Sequence, residues 1–207
     1  MRIALPGGCG AGARANMAIE ESLVCMHRDE ACTLMCTYIQ KEGLRGHCLA
    51  TAAIMKALAA RMGGDPGRWE LIGILHDIDY EIVGGDMNRH GEEGYRILIA
   101  RGIDEGIAGA VRRHNDFLYG DSEDPVDVAL QAADNISGLI TASAAVKGGR
   151  LADVTEKTIR KKFKEKAFAA GCRREKVMGI TRFMDMTEFF SLALRAMQEI
   201  RTELGLL

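Results

Sequence analysis

The segment WELIGILHDIDYE, residues 69–81, carries the strongest structural signal in the chain. The apolar run Leu71–Leu75 leads without a polar break into His76 and Asp77, and Gly84-Gly85 indicate that the helix ends soon afterwards. A helix this apolar is expected to be buried, so an imidazole and a carboxylate at its end need a cation or several hydrogen bonds. Because neighbouring helical residues point about 100° apart, His76 and Asp77 can share a metal ion only where the helix ends.

The rest of the chain also favours helices over strands. Only three prolines occur in 207 residues, and 47% of the residues are hydrophobic but 5% are aromatic, which predicts an aliphatic core. Gly43, Gly63-Gly64, Gly102 and Gly148-Gly149 are expected to end helices, and Pro66 and Pro125 suit first helical turns. The periodicity predicts helices over 17–26, 29–42, 46–62, 67–77, 90–101, 104–114, 126–146, 155–169, 173–180 and 186–204. The predicted fold class is all-α.

Charge and cysteine content limit the function classes. A net charge of −2 gives no general attraction to nucleic acid or to an anionic membrane, so neither is expected as a partner. No run of 18 apolar residues predicts a membrane span. The six cysteines form no CxxC pair, which argues against a zinc finger and predicts reduced thiols in a cytoplasmic protein.

GGCGAGA near the N-terminus lacks the Lys-Ser/Thr of a phosphate-binding loop, so residues 1–16 are expected to be a flexible Gly-rich extension.

Four of the five histidines occur with acidic residues on successive predicted helices. His47 opens GHCLATAAIMKALAARMG, His90 opens HGEEGYRIL, and His114 closes IAGAVRRHND. Asp134 lies within VALQAADNISGLITA, where burial of a carboxylate between Ala and Ile is costly. A lone helical histidine is more often a structural or surface residue than a ligand. Several polar groups whose burial is costly, however, lie on separate helices, and binding to one metal ion would compensate all of them.

The order H…HD…H…H…D resembles the HD superfamily of metal-dependent phosphohydrolases. The phrases LxGxLHDIDYE, HGxxGxxIL and AADNISGLI are similar to stretches of small bacterial HD-domain proteins, including the HDIG type, over roughly residues 29–170. The resemblance implies an HD-domain helical bundle with additional C-terminal helices. It implies a single domain over 17–207, with the metal-site core at about 44–146 and a C-terminal helical part at about 150–207.

The resemblance also implies the metal ligands. His47, His76, Asp77 and Asp134 match the four ligands of the primary metal. His90 and His114 match the histidines that bind a second metal in binuclear branches, with Asp77 bridging, or that contact substrate phosphate in mononuclear ones. Mixed imidazole and carboxylate ligands suit one or two divalent transition metal ions, either Fe, Mn, Zn or Co.

The sequence departs from the common HDIGK form, because Asp79 and Tyr80 replace its Gly and Lys. The phosphate-contacting lysine is therefore missing, which argues against transferring cyclic-dinucleotide activity. Asp77 and Asp79 are the predicted catalytic carboxylates, with Glu81 as a further general-base candidate. The predicted phosphate-binding residues are Arg112 and Arg113, with Arg45 and Arg89 as further candidates and exposed helix ends as the alternative. The basic segment 155–169 is either a solvated helix face or the rim of an anion-binding cleft.

The predicted function is hydrolysis of a phosphate ester or anhydride in a small nucleotide-like substrate. Two alternatives stay open: an HD-type di-iron oxygenase that uses the same six positions, and a metal-stabilised binding or regulatory protein without turnover. The expected partner is a small phosphorylated substrate, and a homodimer stays open.

Overall fold

The computed structural model of this protein describes residues 26–207, which contain ten α-helices and no strand. The all-α prediction is confirmed for this part of the chain, whereas the expectations for residues 1–16 and for a helix beginning at residue 17 lie outside it. Two 3-10 turns, Leu151–Asp153 and Gly179–Arg182, accompany the helices. The helices are α1 (Arg28–Tyr38), α2 (Glu42–Met62), α3 (Pro66–Leu75), α4 (Glu92–Ala100), α5 (Glu105–Arg113), α6 (Asp116–Tyr119), α7 (Pro125–Ala145), α8 (Glu156–Lys164), α9 (Arg174–Met178) and α10 (Met186–Glu199).

The two longest helices, α2 and α7, form the centre of the bundle. Helix α3 packs against α2, α10 packs against both α2 and α7, and α8 and α9 pack against α7. The core is largely aliphatic, as expected, with side chains such as Met55, Leu58, Leu130 and Leu139 fully buried beside Phe189. The C-terminal helices therefore share one hydrophobic core with the helices that carry the predicted metal ligands.

The ends of α3 position the HD pair. Asp65 caps the helix by accepting a hydrogen bond from the backbone N–H of Arg68, and Pro66 occupies the first turn, as predicted. The helix ends at Leu75, and the chain then runs through consecutive turns from residue 76 to 85. His76 and Asp77 thus lie at a helix end, where their side chains can face the same point.

The predicted helix over 29–42 is confirmed as far as Tyr38, but the predicted stop at Gly43 is wrong. Helix α1 ends at Tyr38, and Gly43 lies in the first turn of α2. The break is stabilised from outside, because the Glu81 carboxylate accepts hydrogen bonds from the backbone N–H groups of Gln40 and Lys41. Helices α8 and α10 also end earlier than predicted, at Lys164 and Glu199, and α6 was not predicted.

Among the helices between residues 26 and 207, none combines the length and the apolar character needed to cross a membrane.

Candidate metal centre

The six predicted metal ligands come together from five regions of the fold. His47 lies on α2 and Asp134 on α7, the two central helices. His76 and Asp77 follow α3, His90 lies in the turn before α4, and His114 directly follows α5. The side chains form two groups that share one carboxylate.

The first group consists of His47, His76, Asp77 and Asp134. The Nε2 atoms of His47 and His76 are 3.3 Å apart, and His47 Nε2 lies 3.0 Å from Asp134 Oδ1 and 3.7 Å from Asp77 Oδ2. His76 Nε2 lies 3.5 Å from Asp77 Oδ2. Ligand atoms bound about 2.0–2.2 Å from one ion at tetrahedral or octahedral angles are themselves roughly 3–3.5 Å apart. These separations fit His47, His76 and Asp77 around one cation. Asp134 adjoins this set through His47, and its Oδ1 lies 4.0 Å from His76 Nε2.

The second group consists of His90, His114 and Asp77. The Nε2 atoms of the two histidines are 2.9 Å apart and lie 3.4 Å and 3.5 Å from Asp77 Oδ1. Asp77 thus directs Oδ2 to the first group and Oδ1 to the second. This is the arrangement of a carboxylate that can bridge two adjacent metal ions.

Each of the four histidines is oriented through its Nδ1 atom. His76 Nδ1 lies 2.8 Å from the carbonyl oxygen of Gly73, and His114 Nδ1 contacts that of Val111. His47 Nδ1 lies 3.1 Å from Ser137 Oγ, which itself donates to the Asp134 carbonyl. His90 Nδ1 lies 2.8 Å from Asp79 Oδ1. Because these acceptors favour a proton on Nδ1, Nε2 is the atom of each ring that is directed to bind a metal.

The pKa values within the groups show how the charge of the buried carboxylates is compensated when no metal is bound. Burial lowers the pKa of His47, but Asp134 and Asp77 outweigh this effect and raise the pKa to about 9. Burial also lowers the pKa of His76, and here the carboxylates do not reverse the effect. Two imidazole nitrogens 3.3 Å apart have room for one proton between them, so this opposite behaviour is expected.

In the second group the carboxylates again raise the pKa of one histidine. Burial lowers the pKa of His90, but hydrogen bonds to Asp77 and Asp79 raise it to about 9. Burial would raise the pKa of the Asp77 carboxyl, yet the charges and hydrogen bonds of His76, His114 and His90 hold it well below its usual range. Each group therefore attracts positive charge strongly, and convergent Nε2 lone pairs beside an ionised carboxylate are a donor set that fits a divalent metal ion.

Both carboxylate oxygens of Asp79 are engaged by hydrogen bonds. Its side chain is fully buried, and its Oδ2 accepts hydrogen bonds from the backbone N–H groups of Gly91 (2.7 Å) and Gly94 (2.8 Å). Its Oδ1 is engaged by His90. Gly91 has the left-handed backbone (φ 81°), and a Cβ there would lie 2.7 Å from the Arg112 carbonyl oxygen. These contacts place the Asp79 carboxylate where it orients His90 and the turn that carries it, and a catalytic role for Asp79 stays a prediction.

The predicted phosphate-binding arginines also have other roles. Arg112 pairs with Glu92 and contacts Tyr119, and Arg113 forms a two-point ion pair with the buried carboxylate of Asp127. Neither lines the cavity above the metal ligands. Consecutive helical side chains point in different directions, so proximity to His114 in sequence does not bring these arginines to the cavity, and their phosphate-binding role stays a prediction. Among the further candidates, Glu81 binds the α1–α2 connection and Arg45 donates to the Ile39 and Cys36 carbonyls.

The metal ligands open into a cavity of about 670 Å³. The sequence did not predict most of the other residues that line this cavity, because they come from segments distant in the chain. Arg173 enters the cavity from the α8–α9 connection, and no periodicity or motif marks this residue. The cavity is lined by Leu44, His47, Asp77, Tyr80, Met87, His90, His114, Asn115, Asp116, Phe117, Asp134, Asn135, Gly138, Gly171, Cys172 and Arg173.

Comparison with known proteins agrees with this geometry. Residues 44–139 match the family model of the HD domain, a range that contains all six residues of the two groups. No curated protein and no solved structure matches the chain. The match confirms the resemblance to the HD superfamily over residues 44–139.

Proposed function

We propose that this protein is a metal-dependent phosphohydrolase that cleaves a phosphate ester or anhydride of a small substrate. The proposal rests on one observation: the first ligand group adjoins Oδ2 of Asp77, and the second adjoins its Oδ1. Metal ions held by such groups supply a water nucleophile at neutral pH and neutralise phosphoryl charge. His47, His76, Asp77 and Asp134 would hold one ion, and Asp77, His90 and His114 the other.

The chain's own residues support hydrolysis in a defined way. Both oxygens of Asp77 are engaged by histidines, whereas Asp134 directs only Oδ1 at His47. Asp134 Oδ2 has a single 3.5 Å contact with Asn135 and belongs to a side chain that faces the cavity. We therefore propose that Oδ2 of Asp134, and not Asp79, accepts the proton of the attacking water. The water oxygen bonds to phosphorus, the bond to the leaving oxygen breaks, and that oxygen takes up a proton.

The test begins with protein loaded separately with Mn, Fe, Co or Zn and analysed for metal content. Phosphate release is then measured on a panel of phosphate esters and anhydrides for the wild type and for Asp134→Ala. The wild type should be active with at least one metal and the variant inactive. Lys157→Ala, exposed on α8, is the matched control and should retain activity.

The two alternatives predict different results from the same samples. An iron-loaded protein that consumes oxygen and releases no phosphate would support oxidation. A protein that retains two metals and turns over no ester or anhydride would support a binding or regulatory role. Either result contradicts the proposed function.

A further inference from the structure

The cavity above the metal ligands has few cations of its own. Among the described residues that line it, Arg173 is the only arginine or lysine, whereas three carboxylates are present, those of Asp77, Asp116 and Asp134. Phosphate groups are bound most strongly by charge-assisted contacts from arginine or lysine, and this lining supplies one such side chain. The charge of the lining suits a substrate with a single phosphoryl group.

Arg173 is placed to bind that group without leaving another charge unpaired. Its Nη1 lies 2.8 Å from Asp116 Oδ2, and its Nη2 donates to Gln131. The same Asp116 oxygen lies 2.5 Å from Lys176 Nζ. If the half-exposed Arg173 guanidinium turns to an anion, Asp116 therefore keeps a cationic partner. The exchange avoids the penalty of an isolated carboxylate.

The backbone around Arg173 is fixed by its neighbours. The Arg173 N–H donates to Asn135 Oδ1 (2.9 Å), directly beside Asp134 on α7. The Arg174 guanidinium donates to the carbonyl oxygens of Ala169 (2.7 Å) and Cys172 (2.6 Å), and also to that of Phe168. These contacts bind the α8–α9 connection to the Arg174 side chain. Arg173 thus lines the cavity from a hydrogen-bonded segment that lies outside the HD-domain match at 44–139.

The outer part of the cavity is apolar. Tyr80, Met87 and Phe117 line it, with 41%, 38% and 66% of their surfaces exposed. Phe117 is the only exposed member of the six phenylalanines in the sequence. Aromatic rings left in water beside a polar site are a favourable surface for a planar apolar group.

We propose that this site selects phosphate monoesters of a planar, apolar alcohol. Arg173 binds the phosphoryl oxygens opposite the metal ligands, and Phe117 with Tyr80 covers the alcohol portion. The inference rests on the proposed function for the role of the metals, but it concerns ligand binding and not turnover.

The test uses phosphonates, whose P–C bond the enzyme cannot hydrolyse, so that binding is measured without turnover. Calorimetry on metal-loaded protein compares phenylphosphonate, methylphosphonate and methylenediphosphonate. Phenylphosphonate should bind about tenfold more tightly than methylphosphonate, because one aromatic contact and the apolar area that it buries contribute a binding free energy of that size. Methylenediphosphonate should bind no more tightly than phenylphosphonate.

Variants separate the two parts of the proposal. Phe117→Ala should remove most of the phenyl preference while methylphosphonate affinity stays the same. Arg173→Ala should weaken both monophosphonates by about tenfold or more, as expected for loss of a charge-assisted contact. Arg173→Lys, which keeps the charge and the Asp116 pair, should recover part of that affinity. Arg195→Ala, exposed on α10, is the control and should change neither probe.

Three results would overturn the proposal: tighter binding of methylenediphosphonate, unchanged affinities in Arg173→Ala, or no binding of any probe to the loaded protein. The outcome is separable from that of the proposed function. If phenylphosphonate binds as expected and no ester is hydrolysed, the ligand class stands and the hydrolase proposal fails. If esters are hydrolysed without any phenyl preference, the hydrolase proposal stands and the ligand class fails.

Discussion

At the scale of single residues, the partner of each Nδ1 atom sets the metal affinity of the opposite ring nitrogen. Three histidines use neutral acceptors: the Gly73 carbonyl, the Val111 carbonyl and the Ser137 hydroxyl. His90 differs, because its Nδ1 faces the carboxylate of Asp79. A carboxylate partner makes an imidazole a stronger metal ligand, so His90 is expected to depend most on its partner.

Asp79→Asn should therefore reduce metal binding selectively at the second group. The amide can satisfy only part of the carboxylate's three contacts, with His90 Nδ1 and the N–H groups of Gly91 and Gly94. Loss of such a partner typically costs about 10- to 100-fold in metal affinity. Metal titration should show one weakened and one unchanged site. If both metals stay tightly bound and only kcat falls, Asp79 acts as a general base and the positioning role is refuted.

Metal binding should strengthen with pH over a range unusual for histidine ligands. The pKa values of His47 and His90 are raised from 6.5 to about 9, so in the metal-free protein both carry a proton below that pH. A metal must displace this proton, and affinity per site should rise up to about tenfold per pH unit until about pH 9 and then level off. Competition with a chromophoric chelator between pH 6 and 10 measures the profile. A plateau already reached near pH 7.5 would indicate ordinary histidine pKa values instead.

The sequence contains enough information to identify metal-ligand candidates, but too little to identify the substrate-binding residues. His76, Asp77 and Asp134 stand out because apolar neighbours make their burial costly. Arg173 carries no such signal, since an arginine in a polar connection is ordinary until the fold brings it to the cavity. Arg112 shows the reverse limit, because adjacency to His114 in sequence says little about the direction of a helical side chain, and Arg112 pairs with Glu92 in the structure.

At the scale of elements, the close approach of α2 and α3 sets the spacing between His47 and His76. A Cβ built on Gly73 would lie 2.5 Å from the Ala52 Cα and 2.7 Å from its backbone nitrogen. Backbone atoms cannot yield as a flexible side chain can. The pair Gly73 and Ala52 therefore brings the two helices to contact where the first metal group forms.

Gly73→Ala should destabilise the protein by about 1–3 kcal/mol, because α2 and α3 must separate. Gly43→Ala is the matched control, since Gly43 lies in the first turn of α2 and a methyl group there would have no neighbour within 4 Å. Alanine there should stabilise by about 0.4–1 kcal/mol. Chemical denaturation measures both. A neutral Gly73→Ala variant would contradict the close packing, and a strongly destabilised Gly43→Ala variant would contradict its place in α2.

The sequence predicted helix ends where the signal that ends the helix is local. It did not predict them where the end depends on a tertiary contact. Gly63, with φ 80°, ends α2 as expected, and Asp65 and Asp124 cap α3 and α7. The break between α1 and α2 contains no glycine or proline. It depends on Glu81, about forty residues away in the sequence, whose carboxylate takes the two free backbone N–H groups.

At the scale of the whole molecule, metal binding and folding should be coupled. The ligands come from α2, from α7 and from the segments that follow or precede α3, α4 and α5, so an ion at each group joins elements that are distant in the chain. The metal-free groups retain protons on His47 and His90, which compensate the buried carboxylates. The metal-free protein should therefore fold, but with lower stability.

Chelation should lower the Tm at neutral pH by about 5–10 °C for each metal ion removed. Removal of a ligand present at a hundred times its Kd costs about 2.7 kcal/mol of folding free energy, and in a chain of this size 1 kcal/mol shifts the Tm by about 2–4 °C. Calorimetry before and after exhaustive chelation, with metal content verified at each step, measures the shift. Asp77→Ala removes the carboxylate common to both groups, so its Tm should not respond to the chelator, whereas Lys157→Ala should respond like the wild type. A wild-type protein shown to be metal-free with an unchanged Tm would mean that the two groups bind no metal in the folded state.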